Sequence, residues 1–318
     1  MTSSAPAPSA PSSSGAERPP AREPDSDRVV VTVADGVAEV RLARPDKMNA
    51  LDGRMFASIV AAGDRVAADP TVRAVVLHGE GRSFCAGLDT SSFGAMAAPP
   101  PAQAGDRSSN GGGGEAGDGA GAVASALSGT RSIVDRLPGR PSNLFQEVAH
   151  VWHALPQPVV AALHGHVLGG GLQIALGADI RIAAADAKLS VMEVRWGLLP
   201  DMTGPQMLVR LCGLDVAKEL VFTGRRITGA EAHGLGLVTH VSEDPLGDAR
   251  ALAAEIAGRN PEAVRGAKAL LNAAGTRPLE ESLVDESRRM EALMGSPNQV
   301  EAVMAELEGR APRFADGA

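Results

Sequence analysis

Two glycine-rich stretches carry the first chemical signal in the sequence: FCAGLD (Phe84–Asp89) and LGGGLQ (Leu168–Gln173). Where a strand gives way to a turn or helix at glycine, backbone N–H groups are left without ladder partners and a ligand can approach them closely. Such donors suit a developing oxyanion. The same GGG run would equally serve tight packing of strand against helix. LGGGLQ lacks the Lys-Ser/Thr of a phosphate-binding loop, and the dinucleotide pattern G-x-G-x-x-G is absent from it. A lone carboxylate, Glu193, stands within the apolar run LSVMEVRWGLL, where a charge is costly unless paired, exposed or catalytic. Asp201 follows in LLPDMTG, where it reads as a loop acid that introduces a helix. Gln173 closes the second glycine stretch; an amide exchanges no proton near neutral pH but can orient a water or a substrate by hydrogen bonding. His164 and His166 flank Gly165 without a visible nucleophile and read as structural. Cys85 and Cys212, the only cysteines, lie in apolar surroundings without metal-ligand spacing and read as small packing residues.

The elements that must position these groups follow from periodicity. VVVTVADGVAEVRL (Val29–Leu42) alternates apolar residues around Asp35-Gly36, which predicts a hairpin. Helical spacing over Leu51–Ala68 is followed by the buried strand pattern AVVLHG (Ala74–Gly79). Asn143, with Gln146 three residues on, caps a predicted helix Leu144–Leu155 that Pro156 and Pro158 terminate. Strand Val159–Gly165, helix Gly171–Ala178 and strand Asp179–Ala184 repeat the alternation, so the fold class is α/β. From about residue 245 the pattern is helical only: Gly247–Arg259, Pro261–Ala273, Leu279–Leu293 and a last helix capped by Ser296, with Pro297 at N1 and Gln299 at N3.

Domain organisation reads as a disordered Ala/Pro/Ser tail over 1–27, a core over 28–244 and a helical region over 245–318 that serves as an oligomerisation arm. The core is interrupted over 96–126 by a flexible stretch holding PPP (Pro99–Pro101) and GGGG (Gly111–Gly114). The 318 residues are 44% hydrophobic, enough for a sizeable core, but only 3% aromatic. A net charge of −8, from 30 basic and 38 acidic residues, argues against a nucleic-acid partner. No apolar run reaches membrane-spanning length and no secretory leader is visible, so a soluble, cytoplasmic protein is expected. Trp152 and Trp196 are the aromatic candidates for a pocket wall, or else core residues.

In order and spacing these segments resemble the crotonase superfamily, the enoyl-CoA hydratase/isomerase family. The resemblance runs from Val29 to Phe314 through ARPDKMNAL (Ala43–Leu51), SFCAGLD, PVVAALHGHVLGGGLQIALGADIRIAA (Pro158–Ala184), LSVMEVRWGLLPDMTG (Leu189–Gly204) and FTGRRITGAEAHGLGLV (Phe222–Val238). It implies a crotonase-like ββα spiral with a C-terminal helical region, a homotrimer or homohexamer, and an acyl-CoA thioester as partner. It also implies that the coenzyme enters as part of the substrate, with no other cofactor and no metal. By the resemblance, the N–H groups of Leu88 and Gly170 form an oxyanion hole, with Ala86, Gly87, Asp89 and Gly169 around the substrate. Lys47, Asn49 and Ala50 face the nucleotide, although Lys47 also fits a plain surface role; Lys268 approaches the phosphates or lies on a solvated helix face. Hydratases of this family place glutamates at the positions of Gln173 and Glu193. With Gln173 here, Glu193 becomes the principal acid–base candidate, which favours double-bond isomerisation over hydration; Asp201 matches an acid that works with the glutamate in dienoyl-CoA isomerases, although those also carry an acid at the position of Gln173. A catalytically weak acyl-CoA-binding protein is the reading from a different class.

Overall fold

The computed structural model describes residues 28–89 and 133–316. The expected tail and the Gly/Pro-rich stretch both fall outside these residues. The hairpin forms as its turn chemistry dictates: β1 (Val29–Ala34) pairs antiparallel with β2 (Val37–Leu42), and Asp35 and Gly36 take φ of 49° and 77°. β3 (Ala74–Gly79) joins β2 in parallel and is buried along its whole length. β4 (Val159–Leu163), β6 (Ile180–Ala184) and β9 (His240–Ser242) extend the sheet, giving the order β1-β2-β3-β4-β6-β9. A smaller sheet holds β5 (His166–Leu168), β7 (Lys188–Ser190) and β8 (Ile227–Thr228) in the order β5-β7-β8.

A parallel sheet needs apolar cover on both faces, and the strand sequences provide for it. Val75, Leu77, Ala161 and Leu163 face the main core with α1 (Gly53–Ala68), α2 (Leu144–Ala154) and α3 (Gly170–Leu176). Ala74, Val76, Val160 and Ala162 face the other way, onto Ala249, Ala253 and Ala257 of a helix that ends the alternating region, Pro245–Ala257. That helix, read from sequence as the start of an appendage, is a layer of the sheet packing. α1 is capped by the Asp52 carboxylate, which accepts from Met55 N, and α2 by the full Asn143/Gln146 capping box. The two helices meet through an edge-on Phe56/Phe145 pair at 5.0 Å and at Gly63, where an added methyl would collide with Val151 at 2.3 Å.

Between β7 and β8 lie α4 (Gly204–Cys212) and α5 (Leu214–Thr223), and between β8 and β9 lies α6 (Gly229–Gly234). The Pro245–Ala257 helix is α7, followed by α8 (Pro261–Ala273), α9 (Leu279–Leu293) and α10 (Pro297–Glu308). Ser296 accepts from Gln299 N at 3.3 Å, while the Gln299 side chain accepts from Gly295 N rather than from the cap residue itself. The expected strand Val159–Gly165 is broken at Gly165, whose φ of 58° turns the chain from the large sheet into the small one. β7, β8 and β9 carry two or three residues each, too few for a period to show in sequence.

Candidate active site

The three glycines of LGGGLQ have separate duties. Gly169 takes φ 53°, ψ −123°, a conformation closed to residues with a Cβ, and donates its N–H to Ser190 O at 2.9 Å. Gly171 allows a close approach, since a methyl there would stand 2.5 Å from the Cys85 carbonyl oxygen. Gly170 opens α3, and its N–H has no partner among the described residues.

The first motif reaches the same place through two bridges. Cys85 pairs in parallel with Val167, and Leu88 pairs in parallel with Leu51. The bonds Leu51 N to Gly87 O, 2.8 Å, and Asp89 N to Leu51 O, 2.9 Å, straddle Leu88, so its own N–H points away from that partner strand and is unpaired among the described residues. Gly87, at φ 85°, spans the gap: a methyl on it would lie 2.6 Å from Leu168 O and 3.7 Å from Gly170 N. The two open donors thus flank one backbone crossing. Burial holds the Cys85 thiol up at about 12, and its Sγ contacts Asn49 O at 3.1 Å, so it is a packing residue.

Glu193 arrives beside them because β7 is fastened to the glycine turn at Ser190 and then enters a 3₁₀ turn, Glu193–Trp196. A methyl on Gly169 would stand 3.6 Å from Glu193 Oε1. That oxygen accepts from Gln173 Nε2 at 2.5 Å, while Oε2 is buried without a hydrogen-bond partner. Burial pushes the Glu193 carboxyl above the ordinary glutamate range, and the like charge of Asp201 adds to this, while its own backbone N–H and the Gln173 donor oppose it. Asp201 is open to solvent at its rim, yet crowding by protein also raises its carboxyl. Gln173 is enclosed, and its Oε1 accepts from Met202 N at 2.9 Å and Gly204 N at 3.1 Å.

Two carboxyls of raised proton affinity thus accompany backbone donors that have no partner among the described residues. The sequence model of the family Enoyl-CoA hydratase/isomerase matches residues 32–110 and 138–317. The chain belongs to this family. A probable enoyl-CoA hydratase of Bacillus subtilis (strain 168) is 32% identical over 269 residues, covering 84% of this chain and 90% of the relative. The mitochondrial enoyl-CoA hydratase domain-containing protein 2 of Bos taurus is 34% identical, covering 88% of this chain and 84% of the relative. The crystal structure of an enoyl-CoA hydratase from Bacillus anthracis superposes with a TM-score of 0.74 at 28% identity, covering 91% of this chain and all (100%) of that one. The protein is therefore an acyl-CoA enzyme of the enoyl-CoA hydratase/isomerase family with the crotonase fold.

Other residues that the family resemblance implied fare unevenly. Lys47 ends a 3₁₀ turn, exposed at the mouth of the first segment. Asn49 is closed off: its Nδ2 donates to the carbonyls of Glu80, Ser83 and Phe84 and its Oδ1 accepts from Arg44 N, so its side chain braces the loop rather than facing a ligand. Ala50 is buried, its carbonyl accepting from Arg44, and Ala86 N donates to Met48 O. Asp89 forms an ion pair with Arg44 at 2.7 Å, with Arg44 also 3.4 Å from Asp52. Lys268 lies elsewhere and corrects both of its expectations. Its Nζ donates to Trp152 O, Gln157 O and Asp179 Oδ2 at 3.1, 3.0 and 2.6 Å, so all three ammonium protons face the interior. Trp152 is a core residue, fully enclosed, whereas Trp196 stands exposed on the Glu193 turn.

His164 contacts Gly81 O and His166 the Ser83 hydroxyl, in keeping with structural parts. A recess of about 590 Å³ opens on the far part of the sheet, lined by Glu39, Arg41, His78 and Arg250 among others, and contains none of the site residues. Among the described residues no cluster of His, Cys, Asp or Glu could hold a metal, and no helix is long and apolar enough to cross a membrane. Arg44 and the Met202 and Gly204 N–H groups went unnoticed in sequence. Pro205 at the second position of α4 was the local mark of the helix start, but nothing local tied that start to Gln173.

Proposed function

We propose that this enzyme shifts a double bond within an enoyl- or dienoyl-CoA by proton transfer through Glu193. The Glu193 carboxylate takes a proton from a carbon of the acyl chain, the electron pair moves toward the thioester carbonyl, and the Leu88 and Gly170 N–H groups donate to the resulting enolate oxygen. The carboxylic acid then returns the proton to a different carbon, regenerating the base. Asp201, also with raised proton affinity, assists as a second holder of the proton. Coenzyme A enters as part of the substrate, and proton transfer of this kind asks for no redox group. The observation that carries the reading is the pairing of Glu193, with one open buried oxygen, against an amide at Gln173 whose own oxygen is already occupied twice. Hydration, the second reading, is favoured by the names of the relatives; Glu193 would then be the only one of the two positions able to move a proton, because the Gln173 amide neither takes nor gives one near neutral pH.

The test follows 2-enoyl-, 3-enoyl- and 3,5-dienoyl-CoA in heavy water by absorbance and mass. Deuterium uptake without added water is the expected result, and Glu193→Gln should lower kcat by about 10²–10⁴-fold. Addition of one water would assign hydration instead. Protection of the fold by coenzyme A with no turnover of any of these thioesters would assign a binding protein. Full turnover by Glu193→Gln would refute the mechanism.

A further inference from the structure

Gln173 touches Glu193 and, through the N–H groups of Met202 and Gly204, the loop that carries Asp201, and what it can do there is set by its surroundings. A carboxamide can in principle present either end. Here one end faces two backbone donors, Met202 N at 2.9 Å and Gly204 N at 3.1 Å, so only its oxygen fits there; an inverted amide would set N–H against N–H. The NH₂ end is thereby obliged to face Glu193 Oε1, 2.5 Å away. Rotation offers no escape, since Gln173 is 1% exposed and a methyl on Gly204 would already stand 2.5 Å from its oxygen. On the other side, the Glu193 Oε2 atom is buried without a partner.

We propose that Gln173 is a positioning residue for Glu193: it holds one carboxylate oxygen by an amide that cannot turn, leaves the other as the base, and fixes the same geometry to the loop that carries Asp201. This rests on the reading of Glu193 as the base. The link to the loop is direct, because the two N–H groups that lock the amide belong to Met202, next to Asp201, and to Gly204 at the start of α4. The Gln173 donor also favours the ionised form of the base, alongside the backbone N–H of Glu193 itself. Burial and the Asp201 charge both favour a protonated Glu193, and the Gln173 N–H is the side-chain contact that favours the carboxylate. It carries no proton itself, and its role in the reaction is exerted through Glu193.

Two substitutions separate the halves of this brace. Gln173→Glu keeps an acceptor for Met202 and Gly204 but removes the donor and sets a second carboxylate beside Glu193. Gln173→Met fills the space with neither function. Titration of the Glu193 carboxyl, followed by infrared difference absorption against Glu193→Gln, reads the effect without any need for turnover. Both variants should move this titration to higher pH, Gln173→Glu further, by about one unit or more, equivalent to at least about tenfold in the fraction ionised below it. The acid limb of kcat/KM should move with it, so that loss at pH 6 is at least about tenfold and is relieved as pH rises. A titration that coincides with wild type, or a loss of kcat/KM by one factor at every pH, would overturn the proposal. Should Gln173→Met fail to fold, Gln173→Glu decides alone, since it retains the loop contacts. A displaced titration together with full turnover by Glu193→Gln would support the brace while refuting Glu193 as the base.

Discussion

The carboxyl of Glu193 is crowded out of water on a short turn, and the direction of its shift has two consequences. As a base it must be ionised, so kcat/KM should fall about tenfold per pH unit below a limb that lies above the ordinary glutamate range. Asp201→Asn removes a like charge and should move that limb downward; a pH–rate profile of wild type and variant checks both. Stability runs the other way. Folding raises the proton affinity of this carboxyl, so its contribution to stability diminishes as pH rises from the unfolded-state value through the folded one. Glu193→Gln, which cannot ionise, should therefore be at least as stable as wild type at neutral pH, as read by urea denaturation. A variant that is inactive yet no less stable is what a catalytic group held at a cost to the fold would give.

At the scale of elements, the site depends on joints between segments far apart in sequence. Lys268 on α8 ties the end of α2 to the starts of β4 and β6 through Trp152, Gln157 and Asp179, and Asp179 also accepts from Val159 N. Burial lowers the lysine's proton affinity, and the Asp179 carboxylate partly restores it. Removing one member of such a pair leaves buried groups unmatched; with Asp179 partly exposed, Lys268→Met should cost about 3 kcal/mol in urea unfolding. Its KM for acyl-CoA should stay within about twofold, because the ammonium faces the interior; a large rise in KM with stability intact would restore the nucleotide-contact role. The Asn143/Gln146 capping box, the Asp-Gly hairpin and the buried strand Ala74–Gly79 were legible because each is signalled within a few residues. The destiny of Lys268 was not, since its partners lie 89 to 116 positions away.

At the scale of the whole molecule, the two last helices present apolar side chains outward. α9 has no buried residue, and Leu279, Leu283, Met290, Met294, Val303 and Leu307 are all exposed. A helix is stabilised by packing an apolar face against a neighbour, so these side chains are where the oligomerisation role expected for this region can be tested. Sedimentation should give a trimer or hexamer, and Leu283→Glu with Met290→Glu should lower that mass; an unchanged mass for the double variant would remove these helices from the interface.

Glycine placement, strand and helix alternation and the lone carboxylate among apolar residues were determined by the sequence itself, because turn conformation and apolar periodicity act over a few positions. Motif order sufficed to mark the two glycine stretches, Glu193 and Gln173 as parts of one site. Only the tertiary structure decided what those parts face. It showed that Leu88 N–H points away from its strand partner, that Asn49 and Lys268 are turned inward, and that the Gln173 oxygen is already held by Met202 and Gly204. Hydrogen bonds between distant segments fix those directions, and a sequence carries no local trace of them.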